Sequence, residues 1–173
     1  MQEKQKTTKT RKKMGEERIF WPNYFERHVN VIIPKIRKFI LGYKLLENFL
    51  SLETNPDDEE SLEFYSDLYN DMSPLLTEIT CYLINNGYSG KRKRVDESIR
   101  LSQKILGLLK LLDKRYVVSI TSQDPISDPR WYQASSKSNR EIVEEISILT
   151  KEMYSLRKEI KGWVITHPFS FKE

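Results

Sequence analysis

The sequence predicts an all-α fold, a helical bundle of four to five main helices with a disordered basic N-terminal arm and an extended aromatic C-terminal tail. Three observations carry that expectation. Apolar residues recur every three or four positions through most of the chain, proline and cap residues stand between those runs, and the basic first residues lack any apolar period. With 173 residues, 38% hydrophobic and 31% charged, the chain is long enough for one core without disulfides or metals. Lys or Arg interrupts every apolar run well short of the roughly 18 to 20 residues that span a bilayer, so no membrane association is expected.

Residues 1–18 form the arm, with seven bases against three acids, and residues 19–163 form one helical domain. The domain opens at Ile19, Phe20 and Trp21, with Pro22 at a first helical position and Tyr24, Phe25, His28 and Ile32 at helical spacing. Pro34 either kinks this segment or starts another, and Ile36, Phe39, Ile40, Tyr43, Leu46, Phe49 and Leu50 then make an apolar stripe ending near Leu52. Asn55 and Pro56 read as a cap and first turn, with Asp57 to Glu60 at the positive helix end and Leu62, Tyr65, Leu68, Tyr69 and Met72 as the buried face. Ser73 and Pro74 repeat that start signal, so the run through Ile79 and Tyr82 is a new helix or the second half of a kinked one.

After Gly90 comes the most hydrophobic helix, with Val95, Ile99, Ile105, Leu106, Leu109 and Leu112 on one face. Residues 119–137, with two Asp-Pro pairs, are expected to be a long connection of little regular structure. Ser138 and Glu141 then make a capping box, and Ile142, Ile146, Leu149, Met153, Leu156, Ile160 and Trp163 alternate steps of four and three, a heptad seam. Residues 164–173 are the extended tail.

The charge is uneven. The arm carries +4, which equals the charge of the whole chain, so residues 19–173 are neutral overall and a uniformly basic domain is excluded. Between Leu45 and Gly90 there are ten acids and no Lys or Arg, whereas Lys91 to Arg115 holds nine bases and three acids. Either the two segments neutralise one another across the bundle, or the basic one faces nucleic acid.

Catalytic and metal chemistry find little footing. The two histidines, His28 and His167, are far apart, and Cys81, among Ile79, Thr80, Tyr82 and Leu83, reads as a small buried apolar residue. The stretch Gly87, Tyr88, Ser89, Gly90, Lys91 lacks the spacing of a phosphate-cradling loop and the hydroxyl residue after its lysine. No catalytic residue, metal ligand or cofactor is expected, and the chain is read as not an enzyme.

What remains is binding. Arm, long loop and tail are segments of the kind that gain order on a partner, so the leading expectation is a non-enzymatic interaction or structural component of a larger assembly, with a protein partner or a homo-oligomer. Arg130, Trp131 and Tyr132 are its candidate partner-binding loop residues. The alternative is a nucleic-acid-binding accessory protein that uses Lys9, Arg11, Lys12, Lys13, Lys91, Arg92, Lys93 and Arg94 as counter-charges to phosphate. No apolar segment follows the basic start, so the expected location is the cytoplasm, or an assembled particle. A single alanine, Ala134, in a helical chain points to a coding bias against GC-rich codons, as in AT-rich phage or viral genomes.

Overall fold

The computed structural model describes residues 28–85 and 93–166, with side chains over 30–82 and 96–156. A π-helical turn, His28–Ile32, leads into α1 (Ile33–Leu50). Then follow α2 (Glu59–Asn85), α3 (Lys93–Thr121), two single 3-10 turns (Pro125–Ser127 and Pro129–Tyr132) and α4 (Asn139–Thr166). Among the described residues there is no strand, and no helix is long and apolar enough to cross a membrane. The all-α bundle expected from the periodicity is therefore the fold observed.

Each helix packs on its neighbour in sequence, and α1 also packs on α4, which closes the bundle. Lys35 of α1 meets Glu78 of α2 at 2.9 Å near one end, while Phe49 stacks on Phe64 with 3.9 Å between ring centroids near the other, so α1 and α2 run antiparallel. The centre is filled by Ile36, Phe39, Tyr43 and Leu46 of α1, Leu62, Tyr65, Met72 and Ile79 of α2, Ile105, Leu109 and Leu112 of α3, and Ile142, Ile146 and Met153 of α4. Each fully buried aliphatic of this set contributes about 1.5–3 kcal/mol. The Tyr43 hydroxyl donates across the interior to Ser102 Oγ at 2.6 Å.

Several boundaries depart from the sequence reading, each for a local reason. The helix α2 begins at Glu59 rather than Pro56, because Asn55 Oδ1 accepts from the Asp57 amide and closes a tight turn first. The first helical bond then runs from the Leu62 amide to the Asp58 carbonyl. It continues unbroken through Pro74, whose exposed position puts the missing hydrogen bond on the wet side while Met72, Leu76, Ile79 and Tyr82 stay buried. Cys81 is exposed, not buried: Ile79 and Tyr82 take the inward positions of that turn, and Cys81 falls between them on the outside. The helix α3 runs three residues into the expected loop, and α4 runs to Thr166, so three residues assigned to the tail are helical; residues 167–173 lie outside those described.

Two helical glycines have opposite surroundings. A Cβ on Gly42 would lie 2.7 Å from Met72 Sδ and 2.8 Å from its Cγ, so the absent side chain is what lets α1 approach α2. A Cβ on Gly107 would meet nothing within 4 Å. Gly107→Ala is accordingly expected to stabilise the fold by about 1 kcal/mol through helix propensity. The same change at Gly42 gains that propensity but forces a buried methionine to repack at a cost of about 1–3 kcal/mol, so it should be neutral to destabilising. Urea unfolding of both variants measures the contrast.

Candidate functional site

The apolar stripe of α3 runs Ile105, Leu109, Leu112 and on to Val118, and the residue that falls on it between the last two is Arg115. Only 2% of Arg115 is exposed. Its guanidinium is used for backbone carbonyls of the connection to α4. Nε donates to the Trp131 carbonyl at 2.7 Å, and Nη2 to the Ser135 carbonyl at 2.8 Å. Nη1 donates to Asn139 Oδ1 at 2.8 Å. The same guanidinium lies 5.6 Å from the Trp131 ring centre and 5.5 Å from that of Tyr132, within cation–π range. Burial pulls its pKa down from the ordinary arginine value, and negative potential from Tyr132 and then Asp57 offsets part of that.

Asn139 extends the clamp across the bundle. Its Nδ2 donates to Asp57 Oδ1 at 3.0 Å and to the Pro56 carbonyl at 3.2 Å, so one buried amide ties α3 and the start of α4 to the turn between α1 and α2. Position 139 is held by the expected capping box. The Ser138 amide donates to Glu141 Oε1 at 2.9 Å and the Glu141 amide to Ser138 Oγ at 3.1 Å, bonds that hold the Glu141 carboxyl below its usual range.

The two Asp-Pro pairs make the loop regular where the sequence predicted little structure. Each proline starts a 3-10 turn, and Asp128 caps the second by accepting from the Arg130 amide at 2.9 Å. The Arg130 side chain doubles back on both oxygens of Asp128 and also donates to Thr121 Oγ1 at 3.1 Å. These hydrogen bonds pull Asp128 down to about 2.

Of the three candidate loop residues, Trp131 is buried and anchors the loop, whereas Arg130 and Tyr132 are exposed. Beside them opens a cleft of about 580 Å³ lined by Leu111, Val117 and Trp131 together with Lys114, Arg115 and Arg130, with Asp113 the only acid on its wall. Asp113 is occupied, accepting from Ser66 Oγ at 2.6 Å. Val117, Ile126 and Tyr132 are each about half exposed.

No family model, curated protein or solved structure matches this chain. Among the described residues no group of three or more His, Cys, Asp or Glu is placed to hold a metal. Of the candidate nucleic-acid contacts, Lys9, Arg11, Lys12, Lys13, Lys91 and Arg92 lie outside the described residues, as does His167. Lys93 and Arg94 start α3, and His28 starts the π-helical turn, with side chains outside those described.

The charge segregation has a structural outcome. All six acids of α2, Glu59, Glu60, Glu63, Asp67, Asp71 and Glu78, are exposed. Among the described residues no ion pair joins α2 to α3, and the side chains of Lys91 to Arg94 lie outside them. Three of them lie near Tyr116 of α3: burial first, then Glu63, Glu59 and Asp67, push the Tyr116 phenol up.

A second cleft of about 680 Å³ separates the end of α1 from the start of α4 and is lined by Phe49, Leu50, Tyr65, Arg140 and Val143 among others. Tyr65 is 2% exposed, and burial pushes its phenol up to about 12. A phenol that ionises later in the folded than in the unfolded chain leaves stability intact below pH about 10 and removes it as pH rises toward 12. Tyr65→Phe is thus expected to melt like the parent at neutral pH, to resist alkaline unfolding better between those limits, and to lose the last step of the phenolate absorbance titration.

Proposed function

We propose that the chain is a non-enzymatic interaction component of a larger assembly, and that it receives an acidic and apolar segment of a protein partner at the connection between α3 and α4. The reading rests chiefly on one observation: a buried arginine is spent on holding a loop rather than on chemistry. Binding residues are disproportionately found on long loops positioned by a rigid scaffold. The clamp fixes Tyr132 outward, with Ile126 also exposed, beside a cleft in which Lys114 and the Asp128-paired Arg130 stand near Leu111, Val117 and Trp131. An aromatic or aliphatic anchor with a carboxylate rim fits that combination, and aromatic residues and arginine are the types enriched where partners dock.

A photo-crosslinking residue in place of Tyr132, compared with one in place of the exposed Lys38 on α1, tests the reading in extract of the native source. Discrete adducts at position 132 only, weakened by Lys114→Glu with Arg130→Glu, are the expected result. An adduct of twice the chain mass would identify the partner as a second copy. Equal adducts at both positions, or none at 132, would remove the proposal.

A further inference from the structure

A surface on the opposite flank of α3 from the acidic edge, which meets the cleft at Lys114, goes beyond that reading. Between residues 100 and 114 the exposed side of the helix consists of Arg100, Gln103, Lys104, Gly107, Lys110 and Lys114. At 100° per residue these six fall within an arc of about 120° and extend over about 21 Å of helix axis. Four are cations and none is an acid; Asp96 and Glu97 lie a turn earlier, and Asp113 turns inward to Ser66. No ion pair engages these four cations among the described residues. Like charges one helical turn apart, as in Arg100 with Lys104 and Lys110 with Lys114, repel one another, so within the fold this arrangement only destabilises.

Gly107 stands at the middle of the four, three residues from Lys104 and Lys110 and seven from Arg100 and Lys114. Nothing among the described residues requires glycine there: a Cβ would meet nothing within 4 Å, and the backbone is ordinary helix. A glycine inside a helix is unfavourable, and what it provides on an exposed face is close approach by the backbone of something else. We propose that this face of α3 docks against the phosphate backbone of duplex nucleic acid, with Arg100, Lys104, Lys110 and Lys114 on phosphates and Gly107 at the point of closest approach.

The composition of the face selects that occupant over others. Single strands are held on aromatic stacking platforms, and the arc contains no aromatic. An amphipathic membrane helix needs an apolar face to sink, and a protein interface needs an apolar centre; the one apolar side chain within the arc, Leu111, is half-buried and makes neither. About 21 Å of duplex presents roughly a dozen phosphate charges, enough for all four cations, and contacts of this kind are blind to base sequence.

The test is fluorescence anisotropy of the full chain on a random duplex of about 20 base pairs, from about 50 to about 200 mM salt. Lys104→Gln with Lys110→Gln should weaken binding about tenfold and reduce the slope of log affinity against log salt by about 1.8, two released counterions. Gly107→Leu keeps every charge and has room in the fold, so it should melt no lower than the parent yet lose several-fold in affinity. Lys38→Gln with Lys44→Gln, the same charge change on α1, should alter affinity less than about twofold. Absence of duplex binding, an unchanged slope in the α3 pair, full binding by Gly107→Leu, an equal loss in the α1 pair, or tighter binding to single strands of the same length would each overturn the proposal.

Discussion

Arg115→Met is expected to lower the unfolding free energy by about 3–5 kcal/mol and to release the connection between α3 and α4. Replacing a buried ion pair with apolar side chains is often harmless, because both charged partners leave together. Here the partners cannot leave. The carbonyls of Trp131 and Ser135 are backbone, and Asn139 is held by its own bonds to Pro56 and Asp57, so the methionine would strand three acceptors in a dry site. Each stranded group costs about 1–3 kcal/mol, which outweighs the gain from no longer burying a charge. Arg115→Lys should recover only part, since one ammonium cannot span three acceptors set around a planar fork. Urea unfolding gives the first number. Trypsin gives the second: cleavage after Arg130 and Lys137 should speed up more than the global change explains if the loop opens by itself. Wild-type cleavage rates at those bonds would sink this account of the clamp.

The sequence makes the helices legible because their signal is redundant. The seam from Ile142 to Leu156 repeats one instruction many times, and the capping box before it forms as its spacing requires. Boundaries were less legible, because they depend on partners far away in sequence. Asn55 and Pro56 look like a helix start, yet their turn is completed by Asn139, some eighty residues on. The candidate site was half legible. Arg130, Trp131 and Tyr132 stand out as a basic and aromatic cluster, but periodicity cannot tell which of two adjacent loop aromatics goes inward. Arg115 and Asn139 carry a subtler signal: an arginine occupying an inward position of α3 requires acceptors, and a loop rich in carbonyls follows it. Cys81 shows the reverse limit, since apolar neighbours in sequence do not fix which side of a helix a residue takes.

The same clamp makes a second large prediction at its other end. Asn139→Ala should cost about 2–4 kcal/mol, because it deprives Arg115 Nη1 of its acceptor and leaves the Pro56 carbonyl without its donor at one stroke. Arg115 and Asn139 share one network, so the double variant should lose at least about 1 kcal/mol less than the two single losses added together. Asn139→Asp separates geometry from charge. The new carboxylate would sit against Arg115, which is favourable, and about 3 Å from the Asp57 carboxylate, where the wild-type amide now donates. Two carboxylates at that distance cannot both ionise freely, so the pKa of one rises above its unfolded value. The variant should therefore be less stable than the parent at pH 7. The deficit should shrink as pH falls through the raised pKa, where a proton restores the missing donor between residues 139 and 57. Unfolding free energies of parent and variant measured from pH 7 down to about 4 would show the two curves converging; parallel curves would mean that Asn139 does not join Arg115 to Asp57.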